Sequence, residues 1–415
     1  VSATDVTSTA PGNAAKDADS PTPHDEDGPG EAARTGLLDS WPPSRLLRLF
    51  APALVFLGVR EIGLLGLSWM SGRNDISASD ALRSWDGQWF LSIAANGYSG
   101  VPPHLVDAFG KRSPETPLAF FPGYPTLVGW VHDLGFRLVP SALAVTIVFG
   151  MVCAYGLARL GTILPGGSWR VGLILVALFA ASPMSIVLSM AYSESVFCAF
   201  AVWALVCVLE REWVTAGICC ALAGLVRPTA AALVLAIVLA AAIAIVRRRD
   251  GWRPWAGVVI APMGLVGYLA WVGSRTGEWD GWFALQERGW ASGFDGGAAT
   301  VKFGLDILGN GRSVLEVATV GLIVTALVLL VLTVRARVPW PLVVYTAGVL
   351  VMDLCSNGLM NSKVRLMVPA FVLLVPIALA LDKRKRSTMV LVLAAVAVTG
   401  SWFGAYSVTA WGYAI

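Results

Sequence analysis

Charge is scarce in this chain. Only 14% of its 415 residues are Asp, Glu, Lys or Arg, against about a quarter in soluble domains, while 56% are hydrophobic. That balance excludes an ordinary soluble domain and indicates a polytopic membrane protein. Histidine is scarcer still, with three scattered residues and no ligand spacing. The six cysteines (Cys153, Cys198, Cys207, Cys219, Cys220 and Cys355) lie in or at the edge of apolar stretches, without a partner in a long loop. Neither a disulfide nor a metal site is expected, and no cofactor. The net charge of +3 comes from basic residues dispersed through short loops, so nucleic acid is not an expected partner.

What is there falls into two materials. Residues 1–44 are rich in Ala, Pro, Asp, Glu and Gly and lack the apolar core of a signal peptide. They are expected to form a disordered cytoplasmic tail, with 45–415 as the transmembrane domain. In that domain, runs long enough to fill a hydrocarbon core, about 20 residues each or fewer where helices bury one another, recur eleven times. They lie near Phe50–Met70, Pro140–Leu160, Val171–Met190, Ser195–Leu209, Val214–Val226, Thr229–Val246, Trp255–Gly273, Val314–Val334, Pro339–Asp353, Leu366–Leu381 and Thr388–Tyr406.

Basic residues occupy alternate connections: Arg45/Arg48, Arg159/Arg170, Arg211, Arg247–Arg253, Arg335/Arg337 and Lys383–Arg386. The positive-inside rule places these in the cytoplasm, with the amino end inside and the carboxyl end outside. The alternation requires that Pro117–Gly135, which carries two prolines followed by His132 and Asp133, is an interfacial helix and not a span. The outer side then receives Ser71–Val139, Tyr192–Glu194, Arg227–Pro228, Ser274–Ser313 and Asp353–Arg365. All five carry charges, several at the membrane edge, where charge is costly and marks a cavity or a ligand. A site at the outer face is expected.

The densest chemistry lies in Trp85-Asp86-Gly87-Gln88-Trp89-Phe90, continuing through Ile93-Ala94 to Gly97-Tyr98. At helical period Leu82, Trp89, Phe90 and Ile93 share one face, with Asp86 in its middle. A carboxylate on an apolar face is desolvated, which suits a general base. A capping or hydrogen-bonded structural Asp is the other reading.

This stretch resembles the first-loop signature of the GPI mannosyltransferase II (PIG-V-like) family. Ala119-Phe120-Phe121-Pro122-Gly123-Tyr124-Pro125, Ser182-Pro183, Ala191-Tyr192-Ser193-Glu194-Ser195 and Arg227-Pro228-Thr229 follow in the family's order. The match runs from about Arg83 to Thr229, then loosely through Arg365-Leu366-Met367-Val368-Pro369-Ala370-Phe371. The resemblance implies the GT-C glycosyltransferase superfamily: an all-α bundle of about eleven spans with interfacial helices in the first outer loop. It further implies a polyprenyl-phosphate sugar donor, mannose in this family, and a glycolipid or glycan acceptor among the membrane lipids. The absence of a soluble Gly-rich nucleotide-sugar domain agrees with a lipid-linked donor. Arg greatly outnumbers Lys and Ala and Gly are abundant, which suggests a GC-rich bacterium and hence a multi-pass plasma membrane protein with an acceptor other than a GPI precursor.

Sugar transfer from a lipid phosphate needs a base for the acceptor hydroxyl and positive charge for the departing phosphate. Asp86 is the expected base, acting by a single inverting displacement. Arg365, with Lys363 close by, is assigned to the donor phosphate, which guanidinium grips through two parallel hydrogen bonds; a snorkelling interfacial Arg is the alternative. Arg227, where Pro228 breaks the chain between two apolar runs, is a second phosphate or sugar contact. Glu194, beside Tyr192, binds sugar hydroxyls, orients Arg227 or caps the helix beginning near Ser195. Trp85, Trp89 and Trp282 are placed to stack on sugars, although interfacial aromatics are common. Gly277–Gly297 reads as a mobile outer loop gating the acceptor. Arg60 and Glu61, near the middle of the first span, are expected to pair with other helices. A lipid transporter using the same charges, or a non-catalytic scaffold, are the competing classes; the first lacks the paired, interrupted helices of two symmetric halves.

Overall fold

The computed structural model describes residues 43–311 and 313–412. The chain divides into two compact units, Val1–Leu46 and Leu47–Ile415. Nearly all of the tail expected over 1–44 therefore lies outside the described residues. Those described are helical, with no strand among them and only one isolated bridge, Phe294 with Ser356.

Eighteen α-helices follow in order: α1 (Pro43–Ser71), α2 (Ala78–Ala81), α3 (Asp86–Asn96), α4 (Gly123–Asp133), α5 (Leu138–Ile163), α6 (Trp169–Ala181), α7 (Glu194–Glu210), α8 (Trp213–Gly224) and α9 (Ala230–Val246). The second half holds α10 (Arg253–Ile260), α11 (Met263–Thr276), α12 (Gly281–Trp290), α13 (Ala298–Asn310), α14 (Val314–Arg335), α15 (Trp340–Leu354), α16 (Lys363–Leu366), α17 (Val375–Asp382) and α18 (Arg386–Thr409). Five segments are long and apolar enough to cross a membrane: Arg48–Ser71, Leu138–Ile163, Arg253–Thr276, Val314–Arg335 and Arg386–Thr409. A pair bent by 69°, Met360–Leu366 with Phe371–Asp382, makes a sixth if taken as one span, and α6, α8, α9 and α15 are shorter apolar helices. Each of the eleven expected spans coincides with helix, but the lengths are uneven. Val171–Met190 is helical only to Ala181 and continues as a 3₁₀ turn over Ser185–Ser189.

That break has a physical cause. Pro183 offers no N–H, and Met184 adopts φ 60°, so the last carbonyls of α6 lose their helical donors. Arg60 of α1 supplies one. It donates to Ala180 O (2.8 Å), Ser185 Oγ (2.7 Å) and Ser189 Oγ (2.9 Å), a cation at a helix C-terminus. Arg60 thus pairs with other helices as expected, whereas Glu61 is exposed on the outside of α1.

Helix α7 is apolar all round and almost wholly buried, as befits the centre of a bundle. It packs against α5 and α8, while α6 meets α5, α17 and α18, and α9 meets α15. Helix α4 has eleven residues, so it reaches about 16 Å, roughly half a hydrocarbon core.

Candidate functional site

The five connections singled out by their charges line one cavity of about 1020 Å³, at the upper end for ligand sites. Trp85, Asp86, Trp89 and Phe120 come from the first, Ser193 from the second and Arg227 from the third. Trp282, Gln286 and Phe294 come from the fourth, and Asp353, Lys363 and Arg365 from the last.

Asp86 does not sit in the middle of an apolar helical face. It is the first residue of α3, after Trp85 at φ 55°, and Leu82 belongs to the preceding turn. Trp89, Phe90 and Ile93 are buried one turn or more further on, while the Asp86 side chain keeps 29% of its exposure. The periodicity located the buried face correctly but extended the helix one turn too far toward the amino end. At the helix N-terminus a carboxylate is stabilised by the unpaired N–H groups of the first turn.

Arg365 meets Asp86 across the cavity, with Nη1 donating to Oδ2 at 2.6 Å. Its guanidinium lies 5.4 Å from the ring centre of Tyr192, and its Nε is 3.8 Å from Glu194 Oε1. Arg227 approaches the same Glu194 oxygen at 2.7 Å and donates to Ser193 Oγ at 3.0 Å. Glu194 has no exposure and does not line the cavity; nor does Tyr192, whose hydroxyl donates to Ser84 O at 3.2 Å. The structure places Glu194 and Tyr192 behind the two arginines, against the cations and outside the lining of the cavity. Two acids and two arginines form one electroneutral network, with Asp86, Arg365 and Arg227 facing the cavity.

Lys363 occupies a different position from the one expected beside Arg365. Its Nζ donates to Asp353 O (2.6 Å) and Ser356 O (2.9 Å), bracing the end of α15. Of the tryptophans, Trp85 is exposed, whereas Trp89 is buried and stacks on Phe120 at 5.0 Å. Trp282 donates to Ala119 O at 3.2 Å, as does Gln286. Both lie on α12, so Gly277–Gly297, expected as a mobile loop, contains an ordered helix docked on the 116–121 segment.

The remaining motif residues position these groups. Gly123 N donates to Leu225 O at 2.7 Å, and a Cβ there would come within 2.8 Å of Val226 Cγ2 and 2.9 Å of Leu225 O. Only glycine lets α4 start against the turn that carries Arg227. The Tyr124 hydroxyl bonds Ala142 O and Thr146 Oγ1, and Thr146 donates to Met190 O at 2.9 Å, fixing the approach to Glu194. Beyond the cavity mouth, the Asp295 carboxyl accepts from Ala299 and Gly297 N–H, which hold it below the usual carboxylate range and fasten the start of α13.

Sequence reasoning missed Ser193, Gln286, Asn361 and, above all, Asp353. The signal for Asp353 was present: it is the single Asp, Glu, Lys or Arg in the apolar run of α15, and intramembrane carboxylates mark sites.

No model of a known protein family matches the chain. Over 120 residues, 28% of this chain, it is 32% identical to the GPI mannosyltransferase pigv-1 of Caenorhabditis elegans, of which it spans 17%. The fold is similar to that of ArnT from Cupriavidus metallidurans bound to undecaprenyl phosphate. The TM-score is 0.51 and the identity 14%, over 86% of this chain and 64% of that one. The archaeal oligosaccharyltransferase AglB from Archaeoglobus fulgidus, in complex with an inhibitory peptide and a dolichol-phosphate, gives a TM-score of 0.49 at 13% identity, over 85% of this chain and 56% of that one. The chain is an all-α polytopic membrane protein with a GT-C-like fold, and its sequence resembles the GPI mannosyltransferase (PIG-V-like) family.

Proposed function

We propose that this protein is a membrane mannosyltransferase that moves mannose from a polyprenyl-phosphate donor to a glycolipid or glycan acceptor at the outer face of a bacterial plasma membrane. The observation that carries the reading is Asp86 paired to Arg365 at 2.6 Å inside one large cavity, with Arg227 on its wall. A carboxylate can take the acceptor proton, and guanidinium charge can stabilise the departing phosphate. The likeness to pigv-1 supports the sugar, and the ArnT fold, seen with undecaprenyl phosphate, supports the lipid carrier.

In this reaction the acceptor hydroxyl oxygen attacks the anomeric carbon from the side opposite the phosphate. The bond from that carbon to the phosphate oxygen breaks, its electron pair leaving with polyprenyl phosphate. The hydroxyl proton passes to Asp86. One displacement inverts the centre, so a β-linked donor yields an α-mannoside. Arg365 bonds only Oδ2 of Asp86, so Oδ1 is free to take the proton, and a donor phosphate that draws Arg365 away leaves the carboxylate a stronger base. Glu194 stays behind as the fixed counter-charge that keeps both arginines in place.

The test is Asp86→Asn in the purified protein, assayed for transfer from polyprenyl-phosphate mannose to extracted membrane lipids and glycans. The amide keeps the shape and removes the base, so transfer is expected to fall roughly 10²–10⁴-fold. Donor binding is retained because Arg365 is freed. Near-normal turnover by the variant removes Asp86 from the mechanism, and lipid movement by wild type without glycosidic bond formation favours a transporter.

A further inference from the structure

The cavity has a second polar region that the transfer chemistry above does not use. Asp353 ends α15 with 4% exposure, and neither of its carboxylate oxygens has a hydrogen-bond partner. Asn361 Oδ1 and Ser362 Oγ are likewise buried without partners, and all three residues line the cavity. A buried polar atom left unpaired costs about 1–3 kcal/mol, so several together in a cavity wall indicate a ligand.

The chemistry of these atoms defines what that ligand brings. Carboxylate and amide oxygens only accept, so the ligand supplies donors. Charge, by contrast, is already balanced, since Lys363 Nζ lies 4.0 Å from Asp353 Oδ1. The site lacks hydrogen bonds and not counter-charge, which favours neutral hydroxyls over an ammonium group. Its position is also informative. Ser362 precedes Arg365 by about one helical turn, roughly 5 Å along the axis, so the unpaired group adjoins the guanidinium.

We infer that Asp353, Asn361 and Ser362 form a subsite for the adjacent hydroxyls of a sugar or cyclitol ring held next to Arg365. This rests on the transferase reading and adds the residues that select the ring. The ring belongs either to the donor sugar or to the acceptor, and both present the same chemistry.

The experiment measures equilibrium binding to the full chain in lipid nanodiscs. Four probes are used: polyprenyl-phosphate mannose, polyprenyl phosphate, methyl α-mannoside and myo-inositol. Asp353→Asn is compared with Asn361→Ala, which touches no ion pair, and insertion and monodispersity are checked for each. A subsite for the donor ring predicts that the wild-type preference for polyprenyl-phosphate mannose over polyprenyl phosphate shrinks in both variants, about tenfold in Asp353→Asn, which weakens a hydrogen bond to a charged group, and about fivefold in Asn361→Ala, which loses a neutral one. A subsite for the acceptor ring predicts unchanged binding of both lipids and weakened binding of methyl α-mannoside or myo-inositol. Variants that bind all four probes as wild type does overturn the inference, as does a wild type that distinguishes none of the rings. Absence of transfer in a wild type that still binds a ring through Asp353 defeats the transferase reading alone.

Discussion

The ion pair between Arg227 on the cavity wall and Glu194 sealed behind it offers the sharpest test of how the site is held together. Glu194 has no exposure and Arg227 only 11%, with 2.7 Å between Oε1 and Nη1. Replacing Arg227 by Met keeps its apolar stem and strips the nearest counter-charge from a carboxylate that water does not reach. Breaking a buried pair typically costs 3–5 kcal/mol. Here the lower end, about 3 kcal/mol, is expected because Arg365 Nε remains 3.8 Å away. Glu194→Gln leaves Arg227 with Ser193 Oγ and the cavity, and costs about 1–3 kcal/mol. The double variant has no buried charge to strand, so its loss is smaller than the sum, by roughly 2 kcal/mol. Chemical unfolding of the four proteins in one detergent measures that coupling. Losses that add to within about 0.5 kcal/mol would refute the claim that Glu194 acts as the fixed counter-charge of Arg227.

Two further outcomes bear on the proposed chemistry. Arg365→Lys remains impaired, because an ammonium cannot grip a phosphate through two parallel hydrogen bonds. The defect appears in a donor series and not in an acceptor series, and a loss confined to the acceptor transfers the phosphate to Arg227. For orientation, cysteines at Ser99 and Ser292 are labelled by an impermeant thiol reagent in intact cells and one at Ser387 is not, in a background without reactive native cysteines. The reverse pattern overturns an outward-facing site.

The elements most legible in the sequence were those written in hydropathy. Every expected span found a helix, because the requirement to satisfy backbone groups inside lipid leaves little other choice. The convergence of five charged connections on one cavity was legible for a related reason: charge at the membrane edge is costly unless it lines something. Detail within the turn was harder to read. Asp86 moved from mid-face to the first helical position because the left-handed Trp85 starts α3 later than periodicity implies. Gly277–Gly297 looked loop-like from its glycines and tryptophans, yet α12 forms because Trp282 and Gln286 find carbonyl acceptors on Ala119, a tertiary contact no local pattern records. Lys363 was read as a cation for a ligand. It does line the cavity, but the carbonyls of Asp353 and Ser356 at the end of α15 take two of its three protons, a contact that no local pattern records.

Chemistry and scaffold divide unevenly within the motifs. In Ala119-Phe120-Phe121-Pro122-Gly123-Tyr124-Pro125, the backbone carbonyls of Ala119 and Phe120 receive Trp282, Gln286, Tyr98 and Tyr268, while Gly123 seats the turn bearing Arg227. None of these side chains supplies a charge to the cavity. Asp86, Arg227 and Arg365, by contrast, stand on three separate segments: Arg365 bonds Asp86 directly, while Arg227 is joined to them through Glu194. The motif supplies no charge to the cavity, yet it seats the turn that carries Arg227 and docks α12 on the cavity wall. The same logic explains why Glu194 is sealed from the cavity. On the proposed mechanism, an acid that fixes two arginines while the donor phosphate binds and leaves works best where neither water nor substrate competes for it.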